Sequence, residues 1–376
     1  MTPNVAAVHA RNQALPNVRG HNDSPRSEGD VRSRPNGGRH LFVIGFILLL
    51  LFELAACRRE RNTPAERATI TVYGFSVVKE PLEKEIFPAF QKWWFERSGQ
   101  ELTFDHSFAG SETVTNQILS GVKADVAILA IERDAERLLK NGATKTDWHT
   151  FPHQGIVNRT PFVIVVRQGN PKGIHDFPDL VRPGVKLIHP DPASSGGAQW
   201  SLLAIYGSEL IKSERQTGKR DETKAVNLLG RVWKNVIATP DSARQARTQL
   251  ETGYGDVLIT YELEALQLQD SGKPFEMVAP RSTIFSEHLV VILDRQMKPE
   301  KRALVELFIN YLWSEEAQRT WVKYHFRSVT DEKLNESEPR FTKIEMPFTV
   351  AELGGWSRAY REIIEGVWKQ RFQAAK

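Results

Sequence analysis

Hydrophobic positions along the chain fall into short solid runs separated by amphipathic stretches. Ala68–Tyr73, Leu102–Phe108 and Ala124–Ala130 have the length and apolar content of strands. Between the first two, Glu80–Ser98 sets Phe87, Phe90, Trp93 and Trp94 on one helical face, with Pro88 bending that helix or marking its start. Ser111–Ser120 reads as a short helix, and a charged amphipathic helix ends at Asn141-Gly142. A second group follows: strands at Pro161–Arg167, Val185–His189 and Asp256–Thr260, a helix over Ser195–Gly207, and further helices after the charged insert Glu214–Thr223. A third section adds a strand at His288–Asp294 and a long helix around Pro299–Lys323. Repeated strand-helix units predict an α/β fold of parallel sheets covered by helices. The apolar strands near Pro161 and His288 bracket the second group. This predicts a middle lobe (161–283) inserted into an outer lobe (68–160 and 284–376), two crossover strands, and a ligand cleft between the lobes. The amphipathic stretch Phe348–Phe372, carrying Trp356, Tyr360 and Trp368, is expected to pack on the outer lobe.

The N-terminal pattern is different. Residues before Leu41 are rich in Arg, Asn, Pro, Gly and Ser, and then Leu41–Phe52 runs as LFVIGFILLLLF. That run falls short of the ~20 residues a bilayer span needs and suits the core of a secretion signal. Leu54-Ala55-Ala56-Cys57 follows directly and resembles the bacterial lipobox, whose cysteine receives lipid and becomes the first mature residue. The reading is a leader over 1–56, lipidation at Cys57, and a charged tether over 57–67. It places the protein outside the cytoplasm on the periplasmic side, anchored to membrane by lipid.

Composition narrows the function. The net charge is +4, with 40% hydrophobic and 26% charged residues, a globular balance. Once the leader is removed the charge is nearly neutral, which argues against nucleic acid as a partner, because phosphate-backbone binding needs a concentrated basic surface. Cys57 is the only thiol. Disulfides within the chain, a cysteine metal cluster and a thiol nucleophile are therefore ruled out.

Three strand-to-helix junctions carry the candidate chemistry. In Ala109-Gly110-Ser111-Glu112-Thr113, Gly110 permits close backbone approach and Ser111 is a natural N-cap. Pro192-Ala193-Ser194-Ser195-Gly196-Gly197-Ala198 places two serines and two glycines where a helix starts. Free N–H groups and the helix dipole make such a turn an anion site without any cation. Pro240-Asp241-Ser242-Ala243-Arg244 is the third. Each alone reads as ordinary N-capping. Together, beyond the carboxyl ends of strands in an α/β sheet, they outline a ligand site.

An ordered series of segments then resembles the periplasmic sulfate/thiosulfate-binding proteins of ABC importers. It runs through Ala124-Asp125-Val126, Gly169-Asn170-Pro171-Lys172-Gly173-Ile174, Asp179-Leu180-Val181-Arg182-Pro183-Gly184-Val185 and Ser195-Gly196-Gly197-Ala198-Gln199-Trp200. It continues through Gly255-Asp256-Val257-Leu258-Ile259 with Glu262 and Glu264-Ala265, then Leu312-Trp313-Ser314, and ends at Gly354-Gly355-Trp356. The resemblance implies a two-lobe, type 2 binding-protein fold that holds a dehydrated sulfate by backbone N–H groups, a serine hydroxyl and an indole N–H. Carried onto this chain, the ligand residues are Ser111, Ser195, Gly196 and Gly197, with Ser242 or Ala243 as a further donor. Gly74 stands in an altered first loop, and Tyr261 stands at the indole position. The resemblance further implies capture by lobe closure, delivery to the membrane subunits of an ABC importer, a monomer, and no cofactor or metal. Molybdate and phosphate are the alternative ligands. Phosphate gains weight if Glu112 or Asp241 faces the anion, because hydrogen phosphate needs an acceptor for its proton.

Other classes fit less well. Ser111 and Ser195 lack the surroundings of a nucleophile elbow. The histidines show no paired helical spacing, and only His106 and His189 lie near the anion loops. An ester hydrolase is thus disfavoured. A structural or adhesion lipoprotein would need an exposed apolar patch, and the stripe Trp93, Trp94, Phe95 reads more simply as core.

Overall fold

The computed structural model describes residues 67–373. The predicted leader, Cys57 and all of the tether except Arg67 lie outside the described residues. The strands are β1 (Ala68–Phe75), β2 (Leu102–Ala109), β3 (Val126–Leu129), β4 (Ile156–Arg167), β5 (Leu187–Ile188), β6 (Val236–Ala238), β7 (Val257–Tyr261), β8 (Phe275–Val278), β9 (Ser282–Ile292) and β10 (Met346–Phe348). They join in the order β2-β1-β3-β9-β4-β7-β5-β6, with β10 on β9 and β8 on β4. At one end β1 runs parallel to β2 and β3, and at the other β5 runs parallel to β6 and β7.

The predicted crossover strands join the two ends. Strand β4 pairs antiparallel with β9 through Ile156–Pro161 and with β7 through Phe162–Val166. In turn β9 pairs antiparallel with β3 through Leu289–Ile292. Both crossovers are longer than the sequence pattern predicts, starting at Ile156 and Ser282. Their polar halves are held between strands: Thr283 Oγ1 donates to the Phe162 carbonyl at 2.9 Å and Ser286 Oγ to the Thr160 carbonyl at 2.8 Å. The Thr283 and Ser286 hydroxyls are thereby satisfied inside the sheet.

Other departures have local causes. The first helix is continuous but carries a wide π turn at Leu82–Ile86, directly before Phe87–Ser98. Pro88 has no N–H to give to the preceding turn, and the wide turn absorbs the missing bond. The helix starting at Gly196 runs on to Thr217, through much of the charged insert. The predicted long helix around Pro299–Lys323 is two helices, Pro299–Tyr311 and Glu315–Lys323, because Ser314 caps the second by accepting from Ala317 N–H.

The C-terminal segment touches the expected outer lobe, where Arg133 lies over the Tyr360 ring at 3.4 Å, and also packs beyond it. Trp356 meets Trp200 edge-on at 4.4 Å, and Trp368 meets Trp233 at 5.4 Å. It therefore lies on the helices Gly196–Thr217 and Glu222–Lys234. The first of these is buried almost all round from Gly196 to Leu210. A helix apolar on every face must be covered on both sides, and the terminal tryptophans supply the second cover. No helix among the described residues is long and apolar enough to cross a membrane.

Candidate functional site

The three loops singled out in the sequence all become helix starts. Gly110 precedes Ser111–Leu119, Ser195 caps Gly196–Thr217, and Ser242 caps Ala243–Glu251. Each begins just beyond the carboxyl end of a strand or its following turn. The first N–H groups of a helix have no intrahelical acceptor. Ala198 N–H goes to Ser195 Oγ at 3.3 Å and Gln245 N–H to Ser242 Oγ at 3.3 Å. The peptides of Gly196, Gly197, Ala243 and Arg244 stand ahead of those capped positions.

The three starts converge. A β-carbon on Gly196 would lie 3.1 Å from the Ser111 β-carbon, and one on Gly197 would lie 2.8 Å from the Tyr261 hydroxyl oxygen. A β-carbon on Gly110 would fall 2.3 Å from the Ser194 carbonyl oxygen and 2.7 Å from that of Asp241. Direct bonds fix the arrangement: Thr113 N–H donates to the Ser194 carbonyl at 3.3 Å, Ser194 Oγ to the Asp241 carbonyl at 2.8 Å, and Trp200 Nε1 to the Ala130 carbonyl at 2.6 Å. Ser111, Ser195, Ser242, Ala243 and Tyr261 are all buried. The structure thus gathers Ser111, Gly196, Gly197 and Tyr261, with the Ser242–Ala243 turn tied in through Ser194.

Gly74 sits differently. It lies within β1, in register with Phe108 on one side and Ile128 on the other. A β-carbon there would press on the Phe108 ring at 2.8 Å, which is a packing reason for glycine. The turn after β1 comes at Ser76–Val78.

The two serines near the nest are not equivalent. Ser111 Oγ donates to Asp134 Oδ2 at 2.6 Å and accepts from Ala130 N–H at 3.1 Å, so its proton is spent. Ser195 Oγ accepts from Ala198 N–H and keeps its proton available.

Charge is held away from the nest. Glu112 is buried, yet its oxygens take Arg133 Nη1 at 2.6 Å, Arg137 Nη1, and Gln199 Nε2 at 2.9 Å. The Asp241 side chain is exposed, and it is its carbonyl that faces Gly110. Arg244, the cation nearest the third loop, forms a two-pronged pair with Glu80 at 2.6 and 2.9 Å and also binds Glu264 at 3.0 Å. The two histidines near the anion loops are occupied elsewhere. His106 lies 3.3 Å from Glu83, and the ring nitrogens of His189 engage the Pro190 carbonyl and Ser201 Oγ.

Two buried groups had no distinct signal in the sequence. His288 on β9 packs against Phe75 at 4.5 Å with the rings tilted and meets Tyr261 at 5.4 Å, and burial pushes its pKa down to about 3, so the ring is neutral. Asp134 is wholly buried behind Ser111. Its pKa is pushed up to about 7, first by burial and then by Glu112, against the Ser111 hydrogen bond, Arg137 and Arg133. An acid in the first turn after the strand Ala124–Ala130 was its only trace, and such acids are common at helix starts.

A nest of peptide N–H groups, one free hydroxyl proton and a buried phenol, with every nearby formal charge already paired, suits a compact anion that has shed its water. Comparisons agree with that class. Residues 70–327 match the family of bacterial extracellular solute-binding proteins, and this chain belongs to that family. It is 33% identical to the sulfate-binding protein of Synechococcus elongatus, over 86% of this chain and 92% of that one. It is 32% identical to the thiosulfate-binding protein of Pseudomonas aeruginosa, over 73% and 82% of the two chains. The solved structure of the sulfate-binding protein SubI from Mycobacterium tuberculosis H37Rv superposes with a TM-score of 0.70 at 29% identity, covering 79% of this chain and 99% of that one.

Proposed function

We propose that this protein captures sulfate or thiosulfate between its two lobes and delivers it to the membrane subunits of an ABC importer. The observation that carries the reading is the convergence of the Ser111, Gly196–Gly197 and Ser242–Ala243 helix starts, with the buried Tyr261 hydroxyl set against Gly197. Sulfate carries no proton at neutral pH, so donors can meet all four of its oxygens. The names of the relatives point to the same ligands. In this reading Ser111, Gly196 and Gly197 give backbone N–H groups, Ser195 gives its hydroxyl, and Ser242 or Ala243 and Tyr261 complete the set. Gly74 would offer its own backbone N–H from the end of β1.

The reading extends to the chain's organisation. Lobes over 68–160 with 284–376 and over 161–283 would close on the anion. A leader over 1–56 and lipid on Cys57 would tether a monomer to a membrane outside the cytoplasm. In this reading the site binds its ligand without turning it over, in keeping with the solute-binding family of the chain. The test is thermal denaturation of the purified protein with sulfate, thiosulfate, molybdate and phosphate. Ligand at about 100 times its dissociation constant adds about 2.7 kcal/mol, a shift of several degrees. No shift with any of the four would overturn the reading.

The unequal serines give a sharper check. Ser195→Ala removes a hydroxyl donor to the anion and is expected to weaken sulfate binding roughly tenfold to a hundredfold. Ser111→Ala keeps its peptide donor and is expected to lose stability, through the unpaired Asp134, more than affinity. Equal losses of affinity in the two variants, measured by calorimetric titration, would refute this division of roles.

Asp134 makes binding depend on pH. Glu112 and Asp134 face Arg133 and Arg137, so an arriving dianion leaves this cluster in excess negative charge. The anion raises the Asp134 pKa above its free value near 7, and binding takes up a proton. The sign follows: affinity is highest below about pH 7 and falls as pH rises through the window above it, by at most about tenfold per pH unit. Asp134→Asn, which keeps an acceptor for Ser111, is expected to flatten the profile. A wild-type affinity constant between pH 6 and pH 9 would exclude the coupling.

A further inference from the structure

We propose that Tyr261 fits this pocket for a singly protonated tetrahedral oxyanion, of the hydrogen phosphate or hydrogen arsenate class, alongside a fully deprotonated one. The proposal rests on the anion site assigned above and concerns what that site admits.

The phenol is 1% exposed and its hydroxyl has no hydrogen-bond partner in the protein. It is aimed at the Gly196–Gly197 turn, close enough that a single β-carbon on Gly197 would collide with it. The ring cannot swing aside: it is held between Phe162 at 4.7 Å, His288 at 5.4 Å and Phe75 at 6.3 Å. The oxygen is therefore fixed, while its proton is free to turn about the C–O bond. Burial and Glu264 push the phenol's pKa far up, so it stays a neutral hydroxyl with both a proton and lone pairs.

The other groups at the nest are wholly or partly committed. Peptide N–H groups only donate. Ser111 Oγ gives its proton to Asp134 and accepts from Ala130. Ser195 Oγ already accepts from Ala198, which leaves its proton and one lone pair. The Glu112 carboxylate is consumed by two guanidiniums and an amide, and the Asp241 carboxylate is on the surface. The two carboxylates that the sequence offered as proton acceptors are thus not the acceptors. Tyr261 remains as the group whose proton and lone pairs are both uncommitted.

That decides selectivity. A site of donors alone leaves the hydroxyl of hydrogen phosphate facing another donor, and a buried mispaired group is strongly rejected. An indole at the same position could only donate. The phenol donates to sulfate in one rotamer and accepts the proton of hydrogen phosphate in the other, so the penalty that would exclude phosphate is relieved.

The experiment is calorimetric titration of the intact protein near pH 8 with sulfate and phosphate, and with selenate and arsenate as a second pair of larger radius. Wild-type protein is expected to bind both members of each pair, with affinities within about a hundredfold. Tyr261→Trp is expected to shift the preference of sulfate over phosphate, and of selenate over arsenate, by at least a further hundredfold, whatever the change in sulfate affinity itself. Wild-type protein that binds sulfate and selenate but refuses phosphate and arsenate would overturn the proposal without any variant, and so would an unchanged preference in Tyr261→Trp. Wild-type protein that binds none of the four would bring down the assigned function itself and this proposal with it.

Discussion

Gly197→Asp is expected to abolish sulfate binding while leaving the chain folded. Two effects act together. The new β-carbon would lie 2.8 Å from the Tyr261 oxygen and 3.1 Å from its ring, and because that ring is held by its neighbours the Gly196–Gly197 turn itself must give way. The new carboxylate sits in the first turn of Gly196–Thr217, where it is drawn to the same free N–H groups that the anion needs. An acid in a first helical turn is favourable by about 0.3–1 kcal/mol, which offsets part of the steric cost and keeps the fold intact. For the anion the change is severe, because a fixed negative charge now occupies the donors. A loss of at least about a thousandfold, or about 4 kcal/mol, is expected in calorimetric titration, with a thermal midpoint within a few degrees of wild type. A folded variant with wild-type affinity would remove the Gly196–Gly197 turn from the site.

The signals that located this turn were local ones. A strand reads from a solid apolar run such as Ala124–Ala130, and a helix start reads from a serine or glycine beside it. Both are set by neighbours in sequence, so the loops at Ser111, Ser195 and Ser242 could be placed before any fold was known. What could not be read was set across the chain. Asn158, Thr160, Thr283 and Ser286 lie outside the apolar runs that marked these strands, and become strand because β4 and β9 pair with one another. Glu112 looked like a repulsive neighbour for a dianion. Only the fold brings Arg133, Arg137 and Gln199 to it, from the next helix and from another 87 residues on. The C-terminal tryptophans showed an amphipathic pattern, but a pattern names a face and not the surface it meets. Asp134 is the sharpest case, since its burial and its bond to Ser111 have no counterpart in composition or spacing.

Gly110→Ala probes the approach of the two lobes without altering any donor. The glycine has φ −61° and ψ 144°, values that suit any residue, so alanine brings no backbone strain. Its necessity is purely one of contact. The added methyl would lie 2.3 Å from the Ser194 carbonyl oxygen and 2.7 Å from that of Asp241. Both are backbone atoms at helix starts, and neither can turn away as a side chain would. Relief requires the helix starting at Ser111 to retreat from the other two, by about an ångström, and the bond from Thr113 N–H to Ser194 is the first to be lost. Overpacking of this kind costs roughly 1–3 kcal/mol, and it falls on the closed arrangement alone. The expected result is a sulfate affinity reduced by up to about a hundredfold, with the unfolding midpoint of the anion-free protein unchanged. Small-angle scattering separates this from a damaged site: wild-type protein should contract on adding sulfate, and Gly110→Ala should contract less at equal occupancy. Wild-type affinity in Gly110→Ala would mean that the anion is held by one lobe, and that the meeting of Gly110 with the Ser194 and Asp241 carbonyls plays no part in capture.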